Sequence, residues 1–379
     1  MPQFDLGVLG GGQLARMSIQ AAQRMGLRCL ALDPDPECCT SQLAPVIAGR
    51  LDDPEAIARL VSQCHRVTLE NEFIPAWAIA EAFALADANP QRLMPGWDVL
   101  ATIQDKLLQR QAYARFGAPT PRAVPLQGDG REAIGAIGFP MVLKARFGGY
   151  DGKGTRYART PEEFEALRPQ WQEGWLAEAF VPFRRELAAM VYRSPHVCGA
   201  FPTMETVQTN HVCDLVYPSG VDASEVAIAA VEAVGGYGLF GVEMFEQEDG
   251  SVLINEIAPR PHNTGHYTLD WGGVSQFEMH VRLAMGLPLT EPVGGDTCMA
   301  NLLGPPGDGD LLAALSAALD VPGTRVHWYG KAYREGRKLG HLNAVGTDCV
   351  ARATAARSRF WDAWSTPPRP SPGLGGSFE

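Results

Sequence analysis

The sequence predicts a mixed fold, in which an α/β region with a parallel sheet precedes an α+β region built on antiparallel strands. As far as Leu69, short apolar stretches alternate with helical spacing of apolar residues, which is typical of a parallel sheet with crossover helices. From Phe139 onward, apolar stretches are separated by glycine-rich turns and by the pair Asp249-Gly250, which is typical of hairpins.

Each element of the first region follows from this alternation. Apolar runs that end at glycine or an acidic residue predict strands, and apolar residues spaced three and four apart predict helices. We expect strands at 4–9, 27–32 and 66–69, and helices at 14–25 and 53–64.

The second region starts after Pro95-Gly96 with a pattern that predicts one long helix over 98–116. Further helices are expected at 161–167, 223–234 and 276–285, and strands at 140–145, 175–181 and 186–192. We therefore divide the chain into 1–97, 98–180, 181–295 and 296–365, followed by a proline- and glycine-rich tail at 366–379 that we expect to be disordered.

Composition excludes several functional classes. The chain of 379 residues has 43 acidic and 32 basic side chains and a formal charge of −11, so it has no general attraction for nucleic acid or anionic membranes. No apolar run approaches the ~20 residues of a membrane-spanning helix. The eight cysteines include no C-x-x-C pair, and no export signal opens the sequence, so we expect reduced thiols in a cytoplasmic protein.

The first glycine cluster, Gly10-Gly11-Gly12, lies between a strand and a helix, and Asp33 closes the next strand. This is the dinucleotide-binding fingerprint in its expected context. The pattern leaves three readings open: a nicotinamide or flavin dinucleotide, a tight structural turn, or another phosphorylated ligand at the same turn. The rest of the sequence favours the third.

A second glycine cluster spans Gly148 to Gly154 and contains Lys153, just after a strand that carries Lys144. It is not a Walker A loop, because Gly154 stands where serine or threonine would bind magnesium. A lid that folds over a triphosphate and an ordinary mobile hairpin are the two readings, and Lys144 favours the lid.

Two glutamates are predicted to face each other on a hairpin. If Asp249-Gly250 forms a two-residue turn, then Glu243 lies directly opposite Glu256, and their Cβ atoms are ~5 Å apart. Like charges this close indicate a cation between them, and oxygen ligands suit magnesium. A surface pair leaning apart is the alternative, and a β-bulge would change the register.

The segment that follows the hairpin, residues 258–267, contains two prolines, Pro259 and Pro261, and displays Arg260, His262 and Asn263. Buried polar groups of this kind need partners. We read the segment as an anion-binding wall beside the metal, although His262 alone fits a structural role equally well.

These stretches together resemble the ATP-grasp superfamily and, within it, the 5-(carboxyamino)imidazole ribonucleotide synthases of bacterial purine synthesis. The resemblance rests on Lys144, the lid at 148–154, the stretch 178–183 with Glu186, and above all the run from Asn255 to His266. It also includes Gly10 to Met17, 68–72, 275–278, 327–331 and 336–341.

The resemblance implies an N-terminal Rossmann-like domain, a small lid lobe and a C-terminal ATP-grasp lobe. It also implies a ligase that uses ATP and Mg2+ to carboxylate 5-aminoimidazole ribonucleotide with bicarbonate through carboxyphosphate. A homodimer and transfer of the product to a separate mutase would be in keeping with it.

The same resemblance assigns roles to individual residues. ATP is expected to contact Lys106, Lys144, Gly149, Tyr150, Asp151, Gly152, Lys153, Gly154, Thr155, Glu178, Ala179, Phe180, Val181, Glu186, His211, Asn255 and Glu256. Glu178 to Val181 would be the hinge that reads the adenine with backbone groups. Magnesium is expected at Glu243 and Glu256, and the ribonucleotide at Gln13, Leu14, Glu72, Lys331, Arg337 and Lys338. The expected catalytic group is Tyr150, Asp151, Lys153, Arg260, His262 and Asn263.

Three alternative functions remain at this level. A formate-dependent ATP-grasp enzyme acting on glycinamide ribonucleotide shares most of these features. An NAD-dependent dehydrogenase would rest on Gly10 to Asp33 and would leave the lid and the opposed glutamates unexplained. A nucleotide sensor without catalysis would be favoured by loss of Glu256, which is present.

Overall fold

A computed structural model of the chain describes residues 2–149, 154–171, 174–209 and 212–365. The predicted catalytic and ATP-binding residues Tyr150, Asp151, Gly152, Lys153 and His211 lie outside these described residues. Among the helices described, none combines the length and apolar character needed to span a membrane.

The N-terminal part is a parallel five-stranded sheet in the order β3-β2-β1-β4-β5, with a core of buried aliphatic side chains. The predicted α/β start is therefore confirmed. Its elements are β1 (Phe4–Leu9), α1 (Gln13–Arg24), β2 (Cys29–Asp33), β3 (Val46–Ala48), α2 (Pro54–Gln63), β4 (Cys64–Leu69), α3 (Ala76–Leu85) and β5 (Leu93–Met94).

The next part contains two helices and a small four-stranded sheet in the order β6-β9-β7-β8, which we call the lid sheet. Its elements are α4 (Trp97–Gln104), α5 (Lys106–Phe116), β6 (Ala123–Leu126), α6 (Arg131–Ile137), β7 (Met141–Ala145), β8 (Thr155–Ala158), α7 (Pro161–Leu167) and β9 (Trp175–Ala179).

The prediction of one helix over 98–116 was wrong. The chain leaves the helical conformation at Asp105, whose side chain accepts a hydrogen bond from the backbone N–H of Leu107 at 3.0 Å and so caps α5. An aspartate that satisfies the first N–H groups of a helix stabilises a new start rather than a continuous helix. The break places Lys106 in the first turn of α5.

The remaining strands form one antiparallel sheet of nine strands, in the order β15-β14-β10-β12-β13-β16-β18-β17 with β11 beside β10. Its elements are β10 (Phe183–Arg193), β11 (Cys198–Ala200), β12 (Met204–Thr209), β13 (Val212–Pro218), α8 (Ser224–Val234), β14 (Gly238–Gln247), β15 (Val252–Ala258), α9 (Gln276–Met285), β16 (Thr297–Leu303), α10 (Leu311–Leu319), β17 (Thr324–Trp328), β18 (Lys338–Val345) and α11 (Cys349–Trp364). The strands of 181–295 and 296–365 therefore share a single sheet, although we divided the chain between them.

The β14–β15 hairpin differs from the two-residue turn that we predicted. The backbone N–H of Gln247 donates to Ser251 O at 2.9 Å, so three residues, 248–250, form the loop. Next to the loop Met244 pairs with Ile254, but farther along Glu243 pairs with Glu256. Asn255 is thus an extra residue, a β-bulge. The longer loop and the bulge offset each other, so the two glutamates face each other as expected.

Candidate active site

The opposed glutamates lie where the edge of the nine-stranded sheet meets α5 and the lid sheet. Burial, together with the neighbouring carboxylates of Glu256 and Glu186, raises the pKa of Glu243 to about 8. Burial would also raise the pKa of Glu256, but Lys106, with its Nζ 2.5 Å from Glu256 Oε1, outweighs it and lowers that pKa. Within the described residues, the pair therefore has one carboxylate held by a lysine, and one whose pKa is raised more by burial and the other carboxylates than Lys338 and Lys106 lower it.

This pair fits the magnesium ion that the resemblance implies. Its donors are carboxylate oxygens, and the side-chain oxygen of Asn255 lies on the neighbouring residue, which matches the oxygen ligands that magnesium prefers. In the part of the chain that the structure describes, no group of three or more His, Cys, Asp or Glu side chains is arranged to hold a metal. Two protein carboxylates would leave the other coordination positions to phosphate oxygens and water.

A buried ring of charged and polar groups lies behind the pair. Arg110 on α5 donates through Nε to Glu178 Oε1 at 2.7 Å, and Lys144 Nζ lies 2.8 Å from Glu178 Oε2. Lys144 also donates to Asn255 Oδ1 at 3.3 Å. Burial would raise the pKa of Glu178, but Arg110 and Lys144 lower it to about 2, so Glu178 stays ionised. Burial lowers the pKa of Lys144.

The four residues expected to form the hinge, Glu178 to Val181, do not form one continuous loop segment. Glu178 and Ala179 belong to β9, which pairs with β6 on one side and β7 on the other, and the N–H of Ala179 donates to Arg122 O. The side chain of Glu178 is engaged in the ring described above. Phe180 and Val181 follow the last residue of the strand, so only this half of the stretch lies beyond the paired backbone.

The described ends of the glycine lid lie close to Lys144. Thr155 pairs with Lys144 across β7 and β8, and the N–H of Ala145 donates to Gly154 O at 2.8 Å. Gly149 precedes the undescribed residues 150–153. The glycine-rich segment therefore lies between two paired strands, one of which carries Lys144.

The segment after the hairpin places its polar groups in specific contacts. Arg260 forms a forked ion pair with Glu72, with Nη2 2.7 Å from Oε1, although we assigned these two residues to different ligands. His262 Nδ1 lies 2.9 Å from Thr264 Oγ1, and its Nε2 lies 3.7 Å from Glu243 Oε1. Burial, with Arg260 nearby, lowers the pKa of His262 to about 3, so the ring is neutral.

Asn263 belongs to a short 3-10 helix, Asn263–Leu269, and faces the strand β16. Its amide exchanges two hydrogen bonds with Asn301, at 3.1 Å and 2.6 Å. The same Asn301 donates to Cys213 O at 2.7 Å. The structure therefore ties Asn263 to the sheet rather than to the carboxylate pair.

A cationic group follows β17 along the chain. Burial lowers the pKa of Lys331 to about 8, and the charges of Arg337 and Lys338 contribute to this shift. Lys331 Nζ lies 5.5 Å from the ring centroid of Tyr329. Tyr329 packs in one cluster with Leu14 from the start of α1, the residue after Gln13. The expected ribonucleotide-binding residues from the two ends of the chain thus converge.

The first glycine turn is occupied by carboxylates of the chain itself. The N–H of Gly11 donates to Asp33 Oδ2 at 2.7 Å, and the N–H groups of Gly12 and Ala15 donate to Glu70 at 2.7 Å and 3.0 Å. These are the groups that would receive a dinucleotide phosphate. The turn is therefore filled by internal anions in this structure.

Sequence reasoning missed four residues of this region: Arg110, Asp105, Glu70 and Asn301. Only Arg110 carried a usable signal, because it lies four residues after Lys106 and so shares one face of a helix with it. The partners of Glu70 and Asn301 are distant in the sequence, and nothing local indicates them. Asp105 caps α5 locally, but the apolar spacing that continues across it hid the break.

Comparisons with known proteins extend over nearly the whole chain. Residues 4–104 match the ribonucleotide synthetase preATP-grasp domain, 111–277 the ATP-grasp domain, and 297–355 the phosphoribosylaminoimidazole carboxylase C-terminal domain.

Among similar proteins, the N5-carboxyaminoimidazole ribonucleotide synthase of Synechococcus elongatus is 37% identical, over 97% of both chains. The phosphoribosylaminoimidazole carboxylase of Ogataea methanolica is 36% identical, over 93% of this chain. The chain spans 69% of that protein and 64% of its Schizosaccharomyces pombe counterpart, about two thirds of these fungal relatives. A crystal structure of N5-carboxyaminoimidazole synthase from Aspergillus clavatus, in complex with ADP and 5-aminoimidazole ribonucleotide, has a TM-score of 0.84 at 30% identity, covering 95% of this chain and 98% of that one.

Proposed function

The chain belongs to the family of the N5-carboxyaminoimidazole ribonucleotide synthases, and from that premise we propose how its residues divide the work of an ATP-dependent carboxylation. It is a ligase of the ATP-grasp type that converts 5-aminoimidazole ribonucleotide into its N5-carboxylated form. In our proposal bicarbonate is the carbon donor and is activated as carboxyphosphate. Bicarbonate is a poor electrophile, and phosphorylation supplies the leaving group that the amine of the ribonucleotide can displace.

One observation carries this proposal: Glu243 and Glu256 face each other across β14 and β15, beside the lysines that we assign to ATP. Lys106 Nζ lies 2.5 Å from Glu256 Oε1, and Lys144 donates to the neighbouring Asn255 Oδ1 at 3.3 Å. The γ-phosphate would therefore lie at the glutamate pair. Magnesium, when bound there, would neutralise charge on the transferring phosphoryl group.

On the ATP side, we propose that Lys106, Lys144 and the lid from Gly149 to Thr155 contact the phosphates. Phe180 and Val181 would border the adenine, and Glu186 would accept the ribose hydroxyls. A closing lid excludes water from an intermediate that hydrolyses readily.

On the acceptor side, we propose that Lys331, Arg337 and Lys338 bind the phosphate of the ribonucleotide, while Gln13, Leu14 and Glu72 face the rest of it. Arg260 would orient bicarbonate. The neutral ring of His262 would line the site, with Nδ1 held by Thr264 and Nε2 facing Glu243 Oε1. Tyr150, Asp151 and Asn263 keep the catalytic assignment that the resemblance implies, around bicarbonate and the attacking amine.

The first glycine turn argues against the dehydrogenase alternative, because its N–H groups are bound by Asp33 and Glu70. A measurement of phosphate release from ATP tests the proposal directly. We expect release to depend on 5-aminoimidazole ribonucleotide and bicarbonate together. Release that instead requires glycinamide ribonucleotide and formate would establish the formyl-transfer alternative.

Two further proposals rest on the family resemblance alone: a homodimer and transfer of the product to a separate mutase. A cytoplasmic location is proposed from the cysteines, which include no C-x-x-C pair. Sedimentation of the purified chain tests the dimer. Adding the mutase in trace amounts tests the transfer, since a free product would decay before the mutase could use it.

A further inference from the structure

The β-bulge at Asn255 decides which residue faces Glu243, so whatever stabilises the bulge also sets the geometry of the carboxylate pair. Continuing the pairing found near the loop, where Met244 faces Ile254, would place Asn255 rather than Glu256 opposite Glu243. A shift of one residue exchanges the two faces of a strand. Because of the bulge, the carboxylate of Glu256 rather than the amide of Asn255 faces Glu243.

A bulge leaves backbone groups outside the regular ladder, and these need other partners. Here the helix α5 and the loop after it supply them. The N–H of Ile254 donates to Pro119 O at 2.8 Å. The guanidinium of Arg110 donates to Ile254 O at 3.4 Å and to Asn255 O at 2.7 Å.

Two consecutive carbonyls that meet one guanidinium are specific to the bulged conformation. In a regular strand successive carbonyl groups point to opposite edges, so one side chain cannot reach both. Arg110 is 5% exposed, and its Nε is fixed by Glu178, which leaves the two Nη groups aimed at the strand. The forked, planar shape of arginine makes this possible, and lysine cannot reproduce it.

We propose that Arg110 is a positioning residue that holds the bulge at Asn255 and thereby keeps Glu256 opposite Glu243 for divalent-metal binding. This inference rests on the proposed metal site. Arg110 acts on the metal only through the backbone of residues 254–255, and it also orients Lys144 through Glu178.

The test compares Arg110→Lys with a matched control, Arg185→Lys. Arg185 also has a forked set of partners on this sheet, the carboxylates of Glu205 and Glu246 and Ser219 O, but these partners include neither Ile254 nor Asn255. Binding of Mn2+ to the full chain, with a non-hydrolysable ATP analogue, is measured by the electron paramagnetic resonance signal of free Mn2+. Calorimetric binding of the ribonucleotide alone is the second readout.

We expect Arg110→Lys to weaken Mn2+ binding about tenfold or more, with ribonucleotide affinity within about twofold of wild type and with Arg185→Lys unchanged. Hydrogen exchange should accelerate in peptides covering 252–258. Equal Mn2+ affinity in a folded Arg110→Lys protein, or equal losses in both variants, would overturn the inference.

If Arg110→Lys does not fold, Arg110→Gln serves as the second variant, and the same weakening is expected of it. Failure of both to fold assigns Arg110 to stability alone and also overturns the inference. Absence of Mn2+ binding by the wild-type chain would instead contradict the proposed metal site, so the two failures are distinguishable.

Discussion

The glycine turn of the N-terminal sheet and the glutamate hairpin of the large sheet both place buried carboxylates at a site that could receive a substrate. At the turn, Glu70 accepts two backbone N–H groups, so the acid and the turn satisfy each other. Burial raises the pKa of both acids, but at the hairpin Glu243 faces a second glutamate instead, and its pKa is raised to about 8. The dinucleotide-type motif thus marks a closed structural contact, and the opposed glutamates mark the pair that we propose as the metal site.

The largest expected effect comes from the hairpin side. Glu256→Gln removes one of the two carboxylates that we propose as metal ligands, so we expect ADP formation to fall about a thousandfold or more while the fold survives. Turnover is measured by ADP formation and folding by circular dichroism. Wild-type turnover in this variant would show that the glutamate pair is not needed for catalysis and would contradict the proposed metal site.

Lys338→Ala sharpens the comparison, because it removes a charge that lowers the pKa of Glu243 on the hairpin and that we assign to ribonucleotide binding. We expect the KM for the ribonucleotide to rise about a hundredfold and the KM for ATP to change little, because a phosphate contact is lost. Steady-state kinetics with each substrate varied in turn provides the measurement. Equal losses for both substrates would argue against this assignment.

Glu70→Gln tests the closed region, where a loss of stability is expected rather than a loss specific to ATP. A glutamine oxygen is uncharged, and its NH2 group cannot accept the second N–H, so the free energy of unfolding should fall by about 2 kcal/mol. Urea unfolding measures this change. The matched change Glu278→Gln, on a half-exposed pair with Arg282, should cost well under half as much.

The smallest effect is a pH dependence that arises near the closed region. The pKa of Lys331 is about 8, so Lys331 loses its charge as the pH rises through that value. We expect kcat/KM for the ribonucleotide to fall about tenfold per pH unit above pH 8, and kcat/KM for ATP to fall less. Lys331→Arg should shift the fall to higher pH, and an unshifted profile would assign the titration to another group.

The fold was predictable wherever the signal is local. The helix Gln276–Met285 and the strand Phe4–Leu9 have the bounds that periodicity predicts, and the mixed α/β architecture is confirmed. The break at Asp105 was missed because the apolar spacing continues across it, while the cap depends on a single side chain. Local periodicity cannot show that an aspartate serves as a cap rather than as part of an exposed helical face.

The site was less predictable than the fold. We predicted correctly that Glu243 faces Glu256, but from an incorrect loop length, because the bulge at Asn255 offsets the longer loop. The bulge contacts Arg110 and Pro119, which lie more than a hundred residues earlier in the sequence, so no local pattern indicates it. The closure of the glycine turn depends likewise on Glu70, at a separation of 58 residues from Gly12. Contacts of this range are set by tertiary packing, which no sequence window contains.

The single nine-stranded sheet has a consequence for substrate choice. Glu243 on β14 and Lys338 on β18 are separated by four intervening strands, which would place them ~24 Å apart if the sheet were flat. The charge of Lys338 lowers the pKa of Glu243, which fits a sheet that curls to bring the two residues closer. Hydrogen-bonded backbone, rather than a linker, then sets the distance between the proposed metal site and the proposed phosphate site. If both assignments hold, a nucleoside without its phosphate would reach only one of the two sites.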